Sequence, residues 1–384
     1  MTSAIVLAAG KGTRMRSQQA KTMHKVMDKP MLSHILTTLE KLHIDDVIFV
    51  VGHGADSIEE YYGNKVGYAL QQPQLGSGHA VMMASQLKYK SGKTLIISGD
   101  CPLIQPETYQ KLLDANDEYP LVVLTTKLDN PASYGRIIRN RFGDLEKIVE
   151  KKDCNESELL VKEVNAGIYC VDNQLLWKYL PEIDNNNAQH EYYVTDLVAI
   201  FKRHGHRVGA VVHDDPQELS GINTRRELAA ATEWLRDRIN NYWMDNGVTL
   251  TSPKETYIST ETVIGEDTVI HGNVRIEGKT VIGSANEITE GSRICNSQIG
   301  SENFLDKVVI TDSRLGNRIN AGPWVRMDGC RIEDGSVIPS FTDCSAEKKP
   351  AETARTDFRS RLFAERTEEA EEERPFGRRL INRK

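Results

Sequence analysis

An aliphatic residue at every sixth position constrains this chain more than any other feature. Ile258, Ile264, Ile270, Ile276, Ile282, Ile288 and Ile294 fall in strict phase. Ile299 comes one residue early, and Leu305, Ile310 and Leu315 continue with some slippage. On an α-helix successive members would rotate by roughly 240°, so no single face would collect them. An extended chain that turns regularly and sends one aliphatic inward per short strand does collect them. That is the pattern of a hexapeptide-repeat parallel β-helix, and it covers residues 250–345. Gly265, Gly283, Gly300 and Gly316 each follow such a residue and are expected in tight turns.

The first 222 residues have a different texture. Asp46–Val51, Thr94–Ile97 and Leu121–Leu124 are apolar or nearly so, as strands covered on both faces must be. Helical stretches such as Met31–Leu42 and Pro106–Ala115 lie between them. This alternation predicts an α/β domain with a mostly parallel sheet. Ligands of such sheets bind beyond the carboxyl ends of the strands. Residues 223–249 read as a linking helix, with Leu228, Ala231, Trp234, Leu235, Ile239 and Trp243 near helical spacing and Asn246-Gly247 as a stop. Both tryptophans are expected to be packing residues.

The chemistry-bearing segment is at the start. Ala4–Ala9 reads as a buried strand that opens into Gly10-Lys11-Gly12-Thr13-Arg14-Met15, with Lys21 close behind. A glycine-rich turn carrying cations brings backbone N–H groups and positive side chains up to phosphates. Met15 stands where a dinucleotide fingerprint needs a third glycine, and the Gly-Lys-Ser/Thr of a Walker loop is absent. On spacing alone, a plain strand followed by a flexible turn fits as well. Ser98-Gly99-Asp100 also follows a strand and belongs on the same rim.

Composition excludes several classes. The net charge of −7 gives no electrostatic support to nucleic-acid binding. No apolar run reaches membrane-spanning length, and the N-terminal apolar stretch is too short for a signal peptide. The six cysteines show no CxxC spacing and read as reduced thiols of a cytoplasmic protein.

Leu7–Met15, Lys21, Gln71 with Gln74–Ala80, Gly99–Leu103, Tyr134–Ile137, Ile148–Glu150, Val164–Gly167 and Glu191–Asp196 occur in one order. Over residues 3–340 the chain resembles the uridylyltransferase half of the bifunctional bacterial N-acetylglucosamine-1-phosphate uridylyltransferase/glucosamine-1-phosphate acetyltransferase family. The resemblance implies an α/β fold class: a Rossmann-like nucleotidyltransferase domain followed by a short left-handed parallel β-helix of hexapeptide repeats. It implies the reaction of UTP with N-acetylglucosamine 1-phosphate to give UDP-N-acetylglucosamine and pyrophosphate. The alternatives are the same chemistry on another sugar 1-phosphate, or a non-catalytic nucleotide-sugar-binding regulator.

Site residues follow from the resemblance. Leu7, Ala8, Ala9 and Gly10 face the uracil and ribose, with Gln71, Gly76 and Ser77 on the uracil side and Ser98 and Gly99 beside the nucleotide. Arg14 and Lys21 are the catalytic cations. Asp100 and Asn223 supply oxygens to Mg²⁺, as a hard cation prefers. Gly135, Glu150, Asn165, Thr195 and Asn223 line the sugar. Asp100 as a turn cap, Asn223 as a helix cap and Gln71 as a surface glutamine remain open on the residues alone. Ala20 replaces the proline usual in the family before Lys21. His79 reads as structural.

The acetyltransferase half of the family uses a histidine on later coils of the β-helix. Here the only histidine beyond His213 is His271, in an early coil, so no acetyl transfer is expected. Related β-helices pack as trimers, and a homotrimer through about five coils is expected here. The tail 346–384, acidic and then basic, is expected to be disordered or a solvated helix.

Overall fold

The computed structural model describes residues 1–345, so the expectation for the tail lies outside the described residues. The first domain is built on seven main strands: β1 (Thr2–Leu7), β2 (Asp46–Val51), β3 (Gly67–Leu70), β4 (Lys93–Ser98), β5 (Leu121–Lys127), β6 (Glu163–Asp172) and β7 (Val208–His213). Their order across the sheet is β7-β5-β6-β4-β1-β2-β3. All neighbours are parallel except β6, which runs antiparallel between β4 and β5. A hairpin of Arg136–Arg139 and Leu145–Val149 extends from β6.

Alternation along each strand divides the core in two. Ile5, Val50, Ile96, Val123 and Tyr169 face one side. Ala4, Val6, Phe49, Leu95, Ile97, Val122 and Ile168 face the other. Both sides are dry because helices cover both, among them α1 (Met31–Lys41), α2 (Ser77–Met83) and α3 (Pro106–Ala115). The register sets the rim. Leu7 pairs with Val50 on one side and with Ser98 on the other, so the loops after β1, β2 and β4 emerge together.

Helix α4 (Arg225–Asp245) joins the domains. Its Ala231 and Leu235 pack with Met15, Val26 and Met31 of the first domain, while Trp243 enters the core of the second. The cap of α4 is Thr224, in a capping box with Glu227, and not Asn223.

The second domain is a three-sided stack of 6, 5 and 5 two- or three-residue strands, all parallel, consistent with a left-handed β-helix. The in-phase aliphatics from Ile258 to Ile310 are at most 5% exposed and stack on one another across coils. The slippage has a local cause. Ile276 pairs with Ile294, three six-residue steps on, whereas Ile294 pairs with Ile310, after two corners have each lost a residue. Those corners turn on one left-handed residue, Asn296 or Lys307, as the full-length corners do at Asp267 and Ala285, but with fewer residues around it.

The repeat glycines each stand directly before the turn or bend residues of a corner, as expected. Gly265, Gly283, Gly300 and Gly316 are not among the residues with positive φ. They form a column in which a Cβ on Gly265 would lie 2.6 Å from the Gly283 carbonyl carbon, and one on Gly300 2.4 Å from the Gly316 oxygen. Close approach of successive coils, rather than backbone freedom, requires them. Among the described residues no helix is long and apolar enough to cross a membrane, and all six cysteines are free.

Candidate active site

Three strand ends build the floor. The Gly99 amide donates to the Leu7 carbonyl at 2.9 Å and the Ala8 amide to the Val50 carbonyl at 2.8 Å. A Cβ on Gly99 would lie 2.7 Å from the Leu7 oxygen, so this contact admits only glycine. Ala8 and Ala9 are buried and Gly10 is exposed, where the chain leaves the sheet. Gly12, at φ +58°, then turns it so that its Cα faces Lys21.

Arg14, Lys21, Asp100 and Asn223 converge. Lys21 Nζ donates to Asp100 Oδ2 at 2.5 Å and to Asn223 Oδ1 at 3.1 Å, and Arg14 reaches the same Asn223 oxygen at 2.9 Å. Ser98 Oγ donates to Asp100 Oδ1 at 2.7 Å. Burial alone would push the Asp100 carboxyl up. The Lys21 ammonium and the hydrogen bonds from Lys21, Ser98 and Cys101 outweigh it and hold the carboxyl below its usual range. Asn223 stays in reach because the Ile222 amide donates to the Asp100 carbonyl at 2.9 Å.

Two oxygens that share one ammonium are a fit for a hard divalent cation, which takes the same kind of donor. Two protein oxygens leave most of its shell to phosphates and water, as magnesium prefers.

Gln71 is 5% exposed and lies on the opposite flank of the rim, its amide nitrogen 2.8 Å from the Gly76 carbonyl. Its burial removes the surface-glutamine alternative. Ser77 has a structural contact, because its Oγ accepts from the Val194 amide at 3.0 Å and ties α2 to the segment that carries Thr195.

Among the residues expected to line the sugar, a Cβ on Gly135 would lie 3.3 Å from Glu150 Oε1, and the Asn165 amide donates to the Gly135 carbonyl at 3.0 Å. Asn165 spends its side chain on Tyr169 Oη at 2.7 Å and on the Gly167 amide at 3.0 Å, shaping the irregularity of β6 beside Ser98. Burial, then Asp153 and Asp196, raise the Glu150 carboxyl, and the Thr195 hydroxyl opposes them in part. Asp196 is pushed up to about 6 by burial and by Asp184 and Asp153.

Two residues of this region carried no role in the sequence. Tyr134 Oη accepts from the Gly221 amide at 3.2 Å, joining the loop before Gly135 to the segment that ends in Asn223. Asp196 joins the acidic flank. Both lie inside the quoted motifs, but only the fold brings them to these partners.

Similarity to known proteins decides the family. Residues 4–159 match the MobA-like NTP transferase domain. The chain is 44% identical over 344 residues to the bifunctional protein GlmU of Geobacillus sp. (strain WCH70), covering 88% of this chain and 75% of that protein. It is 46% identical over 325 residues to that of Clostridium botulinum (strain Eklund 17B / Type B), covering 84% of this chain and 71% of that protein. The chain belongs to the GlmU family. A crystal structure of a Bacillus anthracis protein assigned as a glucose-1-phosphate thymidylyltransferase superposes with a TM-score of 0.50 at 21% identity. It covers 62% of this chain and 96% of that one, a likeness of fold alone. As a GlmU-family nucleotidyltransferase the chain is an N-acetylglucosamine-1-phosphate uridylyltransferase, a UDP-N-acetylglucosamine pyrophosphorylase.

Proposed function

We propose that Arg14, Lys21, Asp100 and Asn223 form the centre at which the uridylyl group is transferred. The observation that carries this is the Lys21 ammonium lodged between the oxygens of Asp100 and Asn223, with Arg14 on the same Asn223 oxygen. A phosphate oxygen of the sugar 1-phosphate attacks the α-phosphorus of UTP in line. The bond from that phosphorus to the α,β-bridging oxygen breaks, and its electron pair leaves with pyrophosphate. The nucleophile is already an anion, so the protein supplies no general base. Its work is to align two polyanions and cancel their repulsion. Arg14 and Lys21 contribute fixed positive charge, and Asp100 and Asn223 would hold Mg²⁺. When bound, that ion neutralises phosphate charge and templates the phosphate oxygens.

Leu7 to Gly10, Ser98 and Gly99 offer the nucleotide a narrow backbone floor. Gln71, with Gly76 and Ser77 shaping its turn, reads the base, and Gly135, Glu150, Asn165, Thr195 and Asn223 border the sugar. Pyrophosphate release with UTP, Mg²⁺ and a panel of sugar 1-phosphates tests the assignment. N-acetylglucosamine 1-phosphate should be the best substrate, and failure of the whole panel would refute the centre.

The same reading makes the chain a cytoplasmic enzyme that forms a homotrimer and does not transfer acetyl groups. Val263 and Val281, which stack on one outer face of the β-helix at 55% and 45% exposure, support the association. A monomer mass by light scattering would count against it. His271 sits 3.2 Å from Glu287 on the outside of the β-helix, paired with a carboxylate.

A further inference from the structure

We infer that His79 is a specificity-determining positioning residue: it locks the Gln71 amide so that only a carbonyl oxygen faces the base, selecting a pyrimidine that carries N3–H. The inference rests on the reading of Gln71 as the base contact.

The Gly76 carbonyl can only accept a hydrogen bond, so the Gln71 atom 2.8 Å from it must be the amide nitrogen. The same nitrogen lies 3.2 Å from His79 Nδ1. Its second hydrogen finds a partner there only if Nδ1 carries a lone pair, which assigns His79 the Nε2–H tautomer. The Gly76 acceptor is held in place, since its oxygen also takes the Ala80 amide at 3.1 Å. Gly76 has φ +112°, and a Cβ there would lie 2.5 Å from the Tyr192 oxygen. The Gly78 amide donates to that oxygen at 2.7 Å, and the Tyr192 amide donates to the Leu75 carbonyl at 2.8 Å. The His79 ring lies beside that of Tyr192, with centroids 6.3 Å apart.

Both amide hydrogens of Gln71 are therefore committed, and among the described residues no protein group donates to its Oε1. An acceptor held in that attitude pairs with uracil N3–H. Cytosine presents a lone pair at N3 and meets repulsion. Thymine shares the N3–H, so this device sorts uridine from cytidine nucleotides and leaves the 5-position to other contacts. Selectivity of this kind arises because the wrong base leaves a buried polar group of the site unpaired.

The test compares kcat/KM for UTP and CTP. His79→Phe keeps a ring but no acceptor. It should lower the UTP/CTP ratio about tenfold or more, mainly through KM for UTP, with kcat within about threefold. His79→Asn keeps an acceptor oxygen at the δ position and should restore the ratio. An unchanged ratio in His79→Phe, or an equal loss in His79→Asn, would overturn the inference. Gln71→Ala separates the two levels. If it leaves KM for UTP unaltered, the base-site reading itself fails. If it raises KM while His79→Phe does not, only the role of His79 fails. Should His79→Phe not fold, ¹⁵N spectra of the parent decide: Nδ1 of His79 must resonate as an unprotonated ring nitrogen, and a protonated Nδ1 refutes the assignment.

Discussion

The Lys21 ammonium and the Asp100 carboxylate, 79 residues apart in the chain, meet at 2.5 Å with side chains 15% and 13% exposed. A pair this sheltered is sensitive to loss of either partner, because the remaining charge is left uncompensated. It also fixes where positive charge stands relative to the oxygen donors on the rim.

Asp100→Ala should lower turnover by about three orders of magnitude, the scale of removing a group that organises transition-state charge. UTP affinity should change by only a few-fold, because the contacts proposed for the base and ribose are elsewhere. Pyrophosphate release and calorimetric UTP binding check the two halves separately. Unchanged turnover would remove the metal assignment.

Asp196→Asn should stabilise the protein at pH 8 but not near pH 4. The folded-state value of about 6 lies above the ordinary 3.8, so the carboxyl favours folding where it is protonated. That contribution is lost as pH rises through about 6, and above it the ionised carboxylate is a burden that the amide removes. After allowance for its partial exposure the gain is about 1 kcal/mol. Thermal melts of both proteins across this range measure it, and an equal gain at both ends would contradict the cause.

Gly283→Val should break the stack of coils. Its Cβ would lie 2.5 Å from Ser301 Oγ and 2.7 Å from the Gly300 carbonyl oxygen. A cost of about 2–4 kcal/mol is expected for such overpacking. Hydrogen exchange should quicken in the β-helix while β1 and β4 stay protected, since coils depend mainly on their neighbours.

Acetyl-CoA and glucosamine 1-phosphate should give no N-acetylated product with this chain, as measured by release of free thiol. Acetylation above background would show that this chain supplies a general base for acetyl transfer.

The β-helix was legible because its burial pattern is its sequence pattern: one inward aliphatic per six residues is visible without coordinates. The short corners at Asn296 and Lys307 appear in the sequence only as slippage, because full-length corners such as that at Asp267 turn on a left-handed residue as well. The corner glycines were legible as corner residues, but the close approach that requires them was not, because each clash involves a residue of the next coil. The α/β alternation was equally plain, but the antiparallel insertion of β6 was not, since a strand buried on both faces looks the same in either direction. In the site, the Gly99 and Gln71 motifs stood out by type and order. The cap at Thr224 and the Tyr134 tether did not, because each depends on which of two adjacent or distant groups the fold brings into range.

By itself the sequence determined the two textures of the chain, the family motifs and the residue types of the site, because periodicity and local chemistry are written residue by residue. The tertiary structure alone decided that Lys21, Asp100 and Asn223 share one point, that Gly99 lies against Leu7, and that Gln71 presents an oxygen. Those depend on hydrogen-bond direction and on distances of a few ångströms between segments far apart in the chain, and only a packed sheet with a defined register sets them.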